Sequence, residues 1–294
     1  AVMRSFAGPS VAGRKVLITG AARGIGAALA RRLAARGAHV ALLGLEPELL
    51  AEVAAECGDV PWRYCDVADR GQVERVVEAL VAELGGLDVL VANAGVAKQM
   101  AMIGGDPSVL EETLAVNVLG VAYAVSAAGA HLSHPGGYVL MMSSISTSVQ
   151  LPLGGAYSAS AAAVASLGAT LRAELRSSGA KVGVSYFAGI DTDMTVRGFG
   201  TAAAHTVLGE TSLTGISPVG PAVEALERAI ARRRKTVVSP WWVALVRPFR
   251  LLAQLVVQRV QGDRLARAID IARTEDAPFT TEQPARPRRM ERQP

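Results

Sequence analysis

Cysteine, aromatic residues and long apolar runs are all scarce in this 294-residue chain. Its two cysteines, Cys57 and Cys65, are too few for a disulfide framework and lack the spacing of zinc ligands, so reduced thiols in a cytoplasmic protein are expected. No run reaches the roughly 18 apolar residues that span a bilayer. Residues 3–9 also lack the apolar core of a signal peptide. The sequence therefore predicts a soluble protein.

Charge is modest as well, and much of it lies at one end of the chain. The formal net charge is +4. Four arginines stand among prolines near the C-terminus, namely Arg286, Arg288, Arg289 and Arg292. A solvated tail explains such a cluster better than nucleic-acid binding does, so no nucleic-acid partner is expected.

Short apolar runs alternate with segments of helical periodicity from about residue 15 to residue 239. The runs that indicate strands are 16–18, 40–43, 61–65, 89–92, 138–142, 181–187 and 236–238. Helical segments between them include 27–36, 72–84, 109–128 and 159–176. The alternation predicts repeated strand–helix–strand units, that is, an α/β fold with a doubly wound parallel sheet.

The C-terminal part has a different pattern. Residues 241–271 carry large apolar side chains with arginines between them, which predicts one or two amphipathic helices broken near Pro248 and Gly262. We favour packing of these helices on the sheet domain or on a sister subunit over contact with a membrane surface. The expected organisation is an N-terminal arm (1–13), a single sheet domain (14–240) with a lid at about 194–215, a helical extension (241–273) and a disordered tail (274–294).

Three motifs lie at the ends of predicted strands, where parallel sheets bind their ligands. They are a glycine-rich turn with Gly20, Gly24 and Gly26, the run Asn93-Ala94-Gly95, and Ser144 placed thirteen residues before Tyr157. Together these motifs, within about residues 13–239, resemble the short-chain dehydrogenase/reductase family.

The resemblance implies a Rossmann fold with a nicotinamide dinucleotide at the glycine turn. Gly20 permits the tight turn, Gly24 lets the pyrophosphate approach the backbone, and Gly26 lets the helix pack on the strand. Among the other positions, Asp66 contacts the adenine and Thr192 the nicotinamide carboxamide. The residues expected to hold the cofactor are Gly20, Arg23, Gly24, Ile25, Gly26, Asp66, Val67, Asn93, Gly95, Ile190 and Thr192.

Cofactor choice depends on the end of the second predicted strand. Gly44 stands where relatives that prefer NAD usually carry an acid, which binds the ribose 2′-hydroxyl and repels a 2′-phosphate. Leu45 replaces the arginine of many relatives that prefer NADP, whereas Arg23 offers a base for the 2′-phosphate and Glu46 a substitute acid. The sequence favours NADP, with NAD as the alternative.

The family moves a hydride between the nicotinamide and a ketone or secondary alcohol. By the resemblance, Tyr157 is the proton donor or acceptor, Ser144 orients the substrate oxygen, and Asn117 bends a helix and holds a water for proton relay. Four residues after the tyrosine the family uses a lysine, which lowers the tyrosine pKa and bonds the nicotinamide ribose. In this chain Ala161 stands there.

Three explanations of Ala161 stay open. Ala161 is an engineered substitution, or it belongs to a weakly active natural variant. Alternatively, it marks a protein that binds a nucleotide without turnover. In the third explanation, a different cation replaces the charge of the missing lysine. The chain has four lysines, Lys15, Lys98, Lys181 and Lys235. Lys98 alone follows a predicted strand end that faces the pocket.

The predicted function is therefore an oxidoreductase acting on an apolar ketone or alcohol. The alternative is a catalytically silent nucleotide-binding or scaffold protein. The resemblance also implies a homodimer or homotetramer, paired through the helices at 109–128 and 159–176.

Overall fold

Seven parallel strands form one sheet in the order β3-β2-β1-β4-β5-β6-β7. The computed structural model of the chain describes residues 9–208, 215–261, 264–275 and 278–285. The strands are β1 (Lys15–Thr19), β2 (His39–Gly44), β3 (Trp62–Tyr64), β4 (Val89–Ala92), β5 (Tyr138–Ser144), β6 (Lys181–Phe187) and β7 (Thr236–Ser239). They confirm the predicted doubly wound α/β fold of the Rossmann type.

Helices connect the strands and continue past the last one. They are α1 (Gly24–Ala35), α2 (Pro47–Glu56), α3 (Arg70–Leu84), α4 (Ser108–Leu114), α5 (Gly120–Leu132), α6 (Gly155–Glu174), α7 (Asp193–Phe199), α8 (Ala202–Leu208), α9 (Val219–Arg232), α10 (Val243–Val246), α11 (Arg250–Gln261) and α12 (Arg264–Thr274). Parts of the expected arm, lid and tail, at 1–8, 209–214 and 286–294, lie outside the described residues.

Helices cover both faces of the sheet because its central strands are apolar on both sides. All four residues of β4 are buried, as expected of a parallel strand between two layers. On one face Leu29 of α1 and Leu226 of α9 join the core. On the other face the core includes Val77 of α3 and Val164 of α6.

The chain reverses its direction of progression across the sheet between β1 and β4, which are hydrogen-bonded neighbours. From β1 it builds β2 and β3 to one side, and from β4 it builds β5, β6 and β7 to the other. The loops that leave the carboxyl ends of β1 and β4 diverge and open a crevice, where open α/β sheets bind ligands. The glycine turn and Asn93 follow these two strands directly.

The last two helices pack differently. The break predicted near Pro248 lies between α10 and α11, whereas the one predicted at Gly262 falls outside the described residues. Helix α12 packs on α8 around the buried Ala268. Helix α11 instead keeps four large apolar side chains at the surface.

Residues 278–285 return to the body of the molecule after α12. Phe279 packs against the buried cluster of Met100, Val109 and Ala156. This placement differs from the disordered tail that the polar, proline-rich composition predicts. The physical reason is the single aromatic ring, whose burial stabilises an otherwise polar segment.

One helical stretch, Ser108–Leu132, is long and apolar enough to cross a membrane by length and composition, with a mean hydropathy of 1.6. A π-helical turn at Ala115–Leu119 interrupts it. Ala124 and Ala128 of its second half are buried in the core beside α3. Core helices pass the same length and composition test, so the stretch is weak support for a span.

Candidate active site

The turn between β1 and α1 is closed by contacts that leave no room for side chains. A Cβ on Gly20 would lie 2.6 Å from the Ala94 Cα, and a Cβ on Gly26 would lie 2.3 Å from the Gly20 carbonyl oxygen. Gly20 and Gly24 also have φ values of 64° and 57°, which glycine adopts without strain. No side chain of the described ranges caps α1. The first N–H groups of α1 therefore remain available to a phosphate.

Asn93 ties the end of β4 to this turn. Its side-chain nitrogen donates to the carbonyl oxygens of Thr19 and Gly20, each at 3.0 Å. In return, the Thr19 hydroxyl accepts the backbone N–H groups of Asn93 and Ala94 at 3.0 and 2.9 Å. Sequence reasoning missed this role of Thr19, although a hydroxyl at the end of an apolar strand is a visible signal.

Two carboxylates hold the guanidinium of Arg23, the residue before α1. Its Nε donates to Glu46 Oε2 at 2.7 Å and its Nη2 donates to Glu46 Oε1. Its Nη1 donates to Asp193 Oδ2 at 2.6 Å. The bond to Glu46 raises the pKa of Arg23, and burial opposes that effect. The ion pairs join the end of β2 to the start of α7, a contact of Asp193 that the sequence analysis missed.

One cleft runs along these elements. Cys65 and Asp66 line it after β3. Burial raises the pKa of the Cys65 thiol to about 12, so this cysteine is not a reactive thiolate. All the expected cofactor residues line the cleft except Gly26, which packs behind the turn, and Ile190, which is buried and bridges to Ser217.

The C-terminal segment 278–285 forms part of the cleft wall, through Thr280, Thr281 and Gln283. The buried Thr280 hydroxyl accepts the Ala97 N–H at 3.3 Å, and Arg197 of α7 donates to the Thr280 carbonyl at 3.4 Å. Within the part of the chain that the structure describes, the shielded Oε1 of Gln283 has no hydrogen-bond partner. A buried acceptor of this kind needs a donor, which a ligand in the cleft can supply.

Ser144 and Tyr157 meet where β5 ends and α6 begins. Ser144 is the last residue of β5, and its Oγ accepts the Ser146 N–H at 3.1 Å. Its side chain also hydrogen-bonds Tyr157. Burial raises the pKa of Tyr157, and the bond with Ser144 offsets only part of that effect. Tyr157 is therefore protonated at neutral pH.

The hydroxyl of the neighbouring serine, Ser143, binds a backbone carbonyl group. The Ser143 hydroxyl donates to the carbonyl oxygen of Ala161 at 2.9 Å, so it fixes α6 to β5. Ala161 itself is only 5% exposed. The position where a family member carries its lysine is thus enclosed by protein.

Asn117 lies in the π-helical turn Ala115–Leu119, so the helix deviates from α geometry at the expected residue. Its Oδ1 accepts the Val96 N–H at 2.8 Å. Its Nδ2 donates to the Val96 carbonyl at 2.9 Å and to Ser160 Oγ at 3.0 Å. The side chain therefore ties the segment after β4 to α6, one residue before Ala161. Its role in holding a water stays a prediction.

The four lysines lie far apart in the fold. Lys15 and Lys181 begin β1 and β6, and Lys235 directly precedes β7. These are amino ends of strands, at the sheet edge opposite to the cleft. The ammonium of Lys98 lies 5.4 Å from the centre of the Phe279 ring. Of the four lysines, Lys98 is thus the one that does not lie at the amino end of a strand, and compensation for Ala161 by Lys98 stays a prediction.

Comparison with known proteins assigns the fold and site to a family. The sequence model described as short chain dehydrogenase matches residues 14–203. The chain belongs to this family. As a short-chain dehydrogenase, the protein is an oxidoreductase.

Three relatives show the extent of the similarity. An uncharacterized oxidoreductase of Mycobacterium tuberculosis is 32% identical over 237 residues, which are 78% of this chain and 89% of that protein. D-threitol dehydrogenase of Mycolicibacterium smegmatis is 35% identical over 175 residues, 58% of this chain and 67% of that protein. A short-chain dehydrogenase/reductase from Burkholderia phymatum, crystallised in complex with NAD, is 26% identical with a TM-score of 0.72, covering 81% of this chain and 93% of that one.

The wall of the short-chain dehydrogenase cleft opposite the glycine turn is formed after β6. A Cβ on Gly24 would lie 3.6 Å from the Thr192 Cγ2, so Thr192 faces the glycine turn across the cleft. Its hydroxyl donates to the Ile190 carbonyl at 3.3 Å. The hydroxyl of Thr195, in the first turn of α7, bonds the same carbonyl. These bonds order the segment that leads from β6 into the expected lid.

Proposed function

We propose that this short-chain dehydrogenase transfers a hydride between a nicotinamide dinucleotide and an apolar ketone or secondary alcohol. The observation that carries the proposal is the hydrogen-bonded pair of Ser144 and Tyr157, at the end of a strand that neighbours β4 and its cleft. The bound dinucleotide supplies or accepts the hydride. Tyr157 exchanges the accompanying proton with the substrate oxygen, and Ser144 orients that oxygen.

The residues of the cleft fit a dinucleotide. The glycine turn leaves the uncapped N–H groups of α1 within reach of a pyrophosphate. The unpaired Oε1 of Gln283 suits a hydroxyl or amide donor, and the cofactor has both. Asp66 holds the adenine end and Thr192 the carboxamide end. The NAD complex of the Burkholderia phymatum relative supports this assignment.

The contacts of Arg23 bear on the form of the cofactor. A 2′-phosphate would compete with Glu46 and Asp193 for the guanidinium, and it would meet the charge of Glu46 in the same cleft. A ribose 2′-hydroxyl meets no such repulsion and donates to a carboxylate. We therefore propose NAD as the preferred form. The NADP preference that Gly44 and Arg23 predict remains the alternative.

The raised pKa of Tyr157 favours one direction of the reaction. A protonated tyrosine donates to the oxygen of a ketone, whereas alcohol oxidation needs the tyrosinate. Ala161 supplies neither a charge that stabilises the tyrosinate nor a ribose contact. This chain is therefore proposed to reduce carbonyl groups slowly and to oxidise alcohols still more slowly.

A catalytically silent nucleotide-binding protein is the second candidate. The observation that favours it is the enclosed Ala161, together with three lysines at the opposite sheet edge. Both candidates share the cofactor cleft and differ in turnover alone. Either one is proposed to form a homo-oligomer through α5 and α6, as the family resemblance implies; a cytoplasmic location stays a prediction.

The experiment separates binding from turnover. NAD and NADP binding is measured by calorimetric titration, and turnover is followed by nicotinamide absorbance on a panel of ketones and secondary alcohols. We expect Ala161→Lys to raise turnover by about 100-fold or more, because it restores charge beside the proton donor. Ala161→Met, similar in length and uncharged, is the control and should give no gain.

Adding Tyr157→Phe to the lysine variant should remove the gain. Cofactor binding with no turnover by Ala161→Lys would overturn the dehydrogenase proposal in favour of the silent protein. The absence of binding by any variant would overturn both candidates.

A further inference from the structure

The segment after β7 carries seven exposed apolar side chains, here called the C-terminal apolar face. Its side chains are between 56% and 76% exposed, and they succeed one another over sixteen residues of sequence. They are Trp241, Leu245, Phe249, Leu251, Leu252, Leu255 and Val256. Surfaces of this kind mark sites of interaction rather than ordinary solvent-facing structure.

Helix α11 packs on the body of the protein through its less apolar side. Ala253, Gln254 and Val257 are half-buried, whereas the leucines point outward. Gln254 Oε1 accepts the Gln150 N–H at 2.8 Å, and Gln254 Nε2 donates to the Gln150 carbonyl at 3.2 Å. These two bonds fix the orientation of the helix. The leucines are therefore presented for a partner outside the chain.

The charge of the segment selects the partner. Between residues 240 and 261 the sequence has Arg247, Arg250 and Arg259 and no aspartate or glutamate. Arg250 and Arg259 are exposed beside the apolar residues. The guanidinium of Arg247 lies 3.5 Å from the centre of the Tyr186 ring, which anchors the segment to β6. A segment of exposed apolar side chains whose own charges at 240–261 are all positive complements an anionic surface.

A second copy of the chain meets this requirement poorly. In a two-fold dimer the same surface faces itself, so Arg250 and Arg259 would be brought together with no acid of the segment to pair with them. An anionic bilayer accepts both features, since the leucines enter the acyl boundary and the arginine side chains extend to the lipid phosphates. A tryptophan such as Trp241 is also enriched at bilayer interfaces.

We propose that the C-terminal apolar face binds the surface of an anionic lipid bilayer. The helix lies on the membrane rather than through it, because α11 has twelve residues and a span needs about 20. The sequence analysis placed this partner second to packing within the protein or on a sister subunit. Because the leucines face outward and the charges of the segment are all positive, we now favour the membrane surface over packing.

The test uses sedimentation of the full chain with vesicles of phosphatidylcholine alone or of phosphatidylcholine with phosphatidylserine. The chain should bind the anionic vesicles, and higher salt should weaken the binding. Leu252→Ser combined with Leu255→Ser should lower the partition coefficient at least about tenfold. Tyr64→Ser, which removes an exposed apolar side chain at the far edge of the sheet, is the matched control and should bind as before.

Two results would overturn the proposal. One is equal partition onto neutral and anionic vesicles or onto none. The other is a smaller oligomer of the serine variant by light scattering, with no vesicle binding by the parent chain, which assigns the face to a second copy. Neither result depends on turnover, so the dehydrogenase proposal stands or falls separately.

Discussion

The cofactor cleft and the Ser144–Tyr157 pair are held together in different ways. The cofactor end is made of backbone, with close approaches at Gly20 and Gly26 and an amide bridge from Asn93. The pair depends on side chains, because Ser144 hydrogen-bonds Tyr157, and Ala161 lies one turn further along α6. The cleft is lined by most of the residues expected to hold a dinucleotide, whereas position 161 carries no charge. We therefore expect binding and turnover to be separable in this protein.

The largest expected effect is the change of turnover rate with pH. Burial raises the pKa of Tyr157 above the ordinary value of about 10. The donor needed for ketone reduction thus stays protonated as the pH rises to that value. The tyrosinate needed for oxidation gains about tenfold per pH unit below the pKa. Initial rates in both directions between neutral and alkaline pH measure this.

In Ala161→Lys the added charge should lower the pKa of Tyr157, so the oxidation rate should reach its plateau at lower pH. A rate of oxidation by the parent chain that levels off near neutral pH would contradict the raised pKa. Tyr157→Phe is the control and should show no rise attributable to the phenol.

At the glycine turn of the cofactor cleft, a substitution that adds volume without adding charge should disrupt the structure by steric conflict. In Gly26→Ala the new Cβ would meet the Gly20 carbonyl oxygen at 2.3 Å, so the turn has to move. We expect the free energy of unfolding to fall by about 1–3 kcal/mol, with a parallel loss of dinucleotide affinity. Denaturant unfolding and calorimetric titration give the two quantities.

Gly129→Ala is the matched control, since no atom of the described residues beyond its own stretch of helix lies within 4 Å of a Cβ built there. It should stabilise α5 by up to about 1 kcal/mol through helix propensity. Equal behaviour of the two alanine variants would show that close packing behind the turn is not needed.

The smallest expected effect concerns the form of the cofactor. Glu46→Gln removes the carboxylate that pairs with Arg23 while keeping a similar shape. The affinity for NADP relative to NAD should rise by roughly two- to fivefold, about the size of one partly exposed charge interaction. Glu56→Gln disrupts a comparable pair with Arg31 at the end of α2 and should leave the ratio unchanged. A fall in the ratio would contradict a ribose contact by Glu46.

The strands and the glycine turn could be predicted from the sequence because each depends on a local pattern of residues. A strand buried on both faces needs a continuous apolar run, and the turn needs glycine at fixed spacing. The position of Asn117 in a helical irregularity was predicted from the family resemblance instead. Its bonds to Val96 and Ser160 were not, because they join segments distant in sequence.

The structure of the C-terminal segments could be predicted less well from the sequence. Residues 278–285 are polar except for Phe279, and composition does not show that one ring finds a place beside Met100. The orientation of α11 depends on the paired amide contacts between Gln150 and Gln254. Apolar periodicity alone favours the opposite orientation, with the leucines inward. The placement of residues 278–285 and the orientation of α11 both depend on side-chain contacts between segments that are distant in sequence.

The separation of Lys181 and Lys235 from the cleft has a practical consequence. Lys181 and Lys235 are exposed at the amino ends of β6 and β7. Coupling through their amines to a solid support attaches the molecule by the sheet edge that lies away from the glycine turn. Immobilised in this way, the protein presents its cleft to the solution, so ligands can be titrated across a fixed surface.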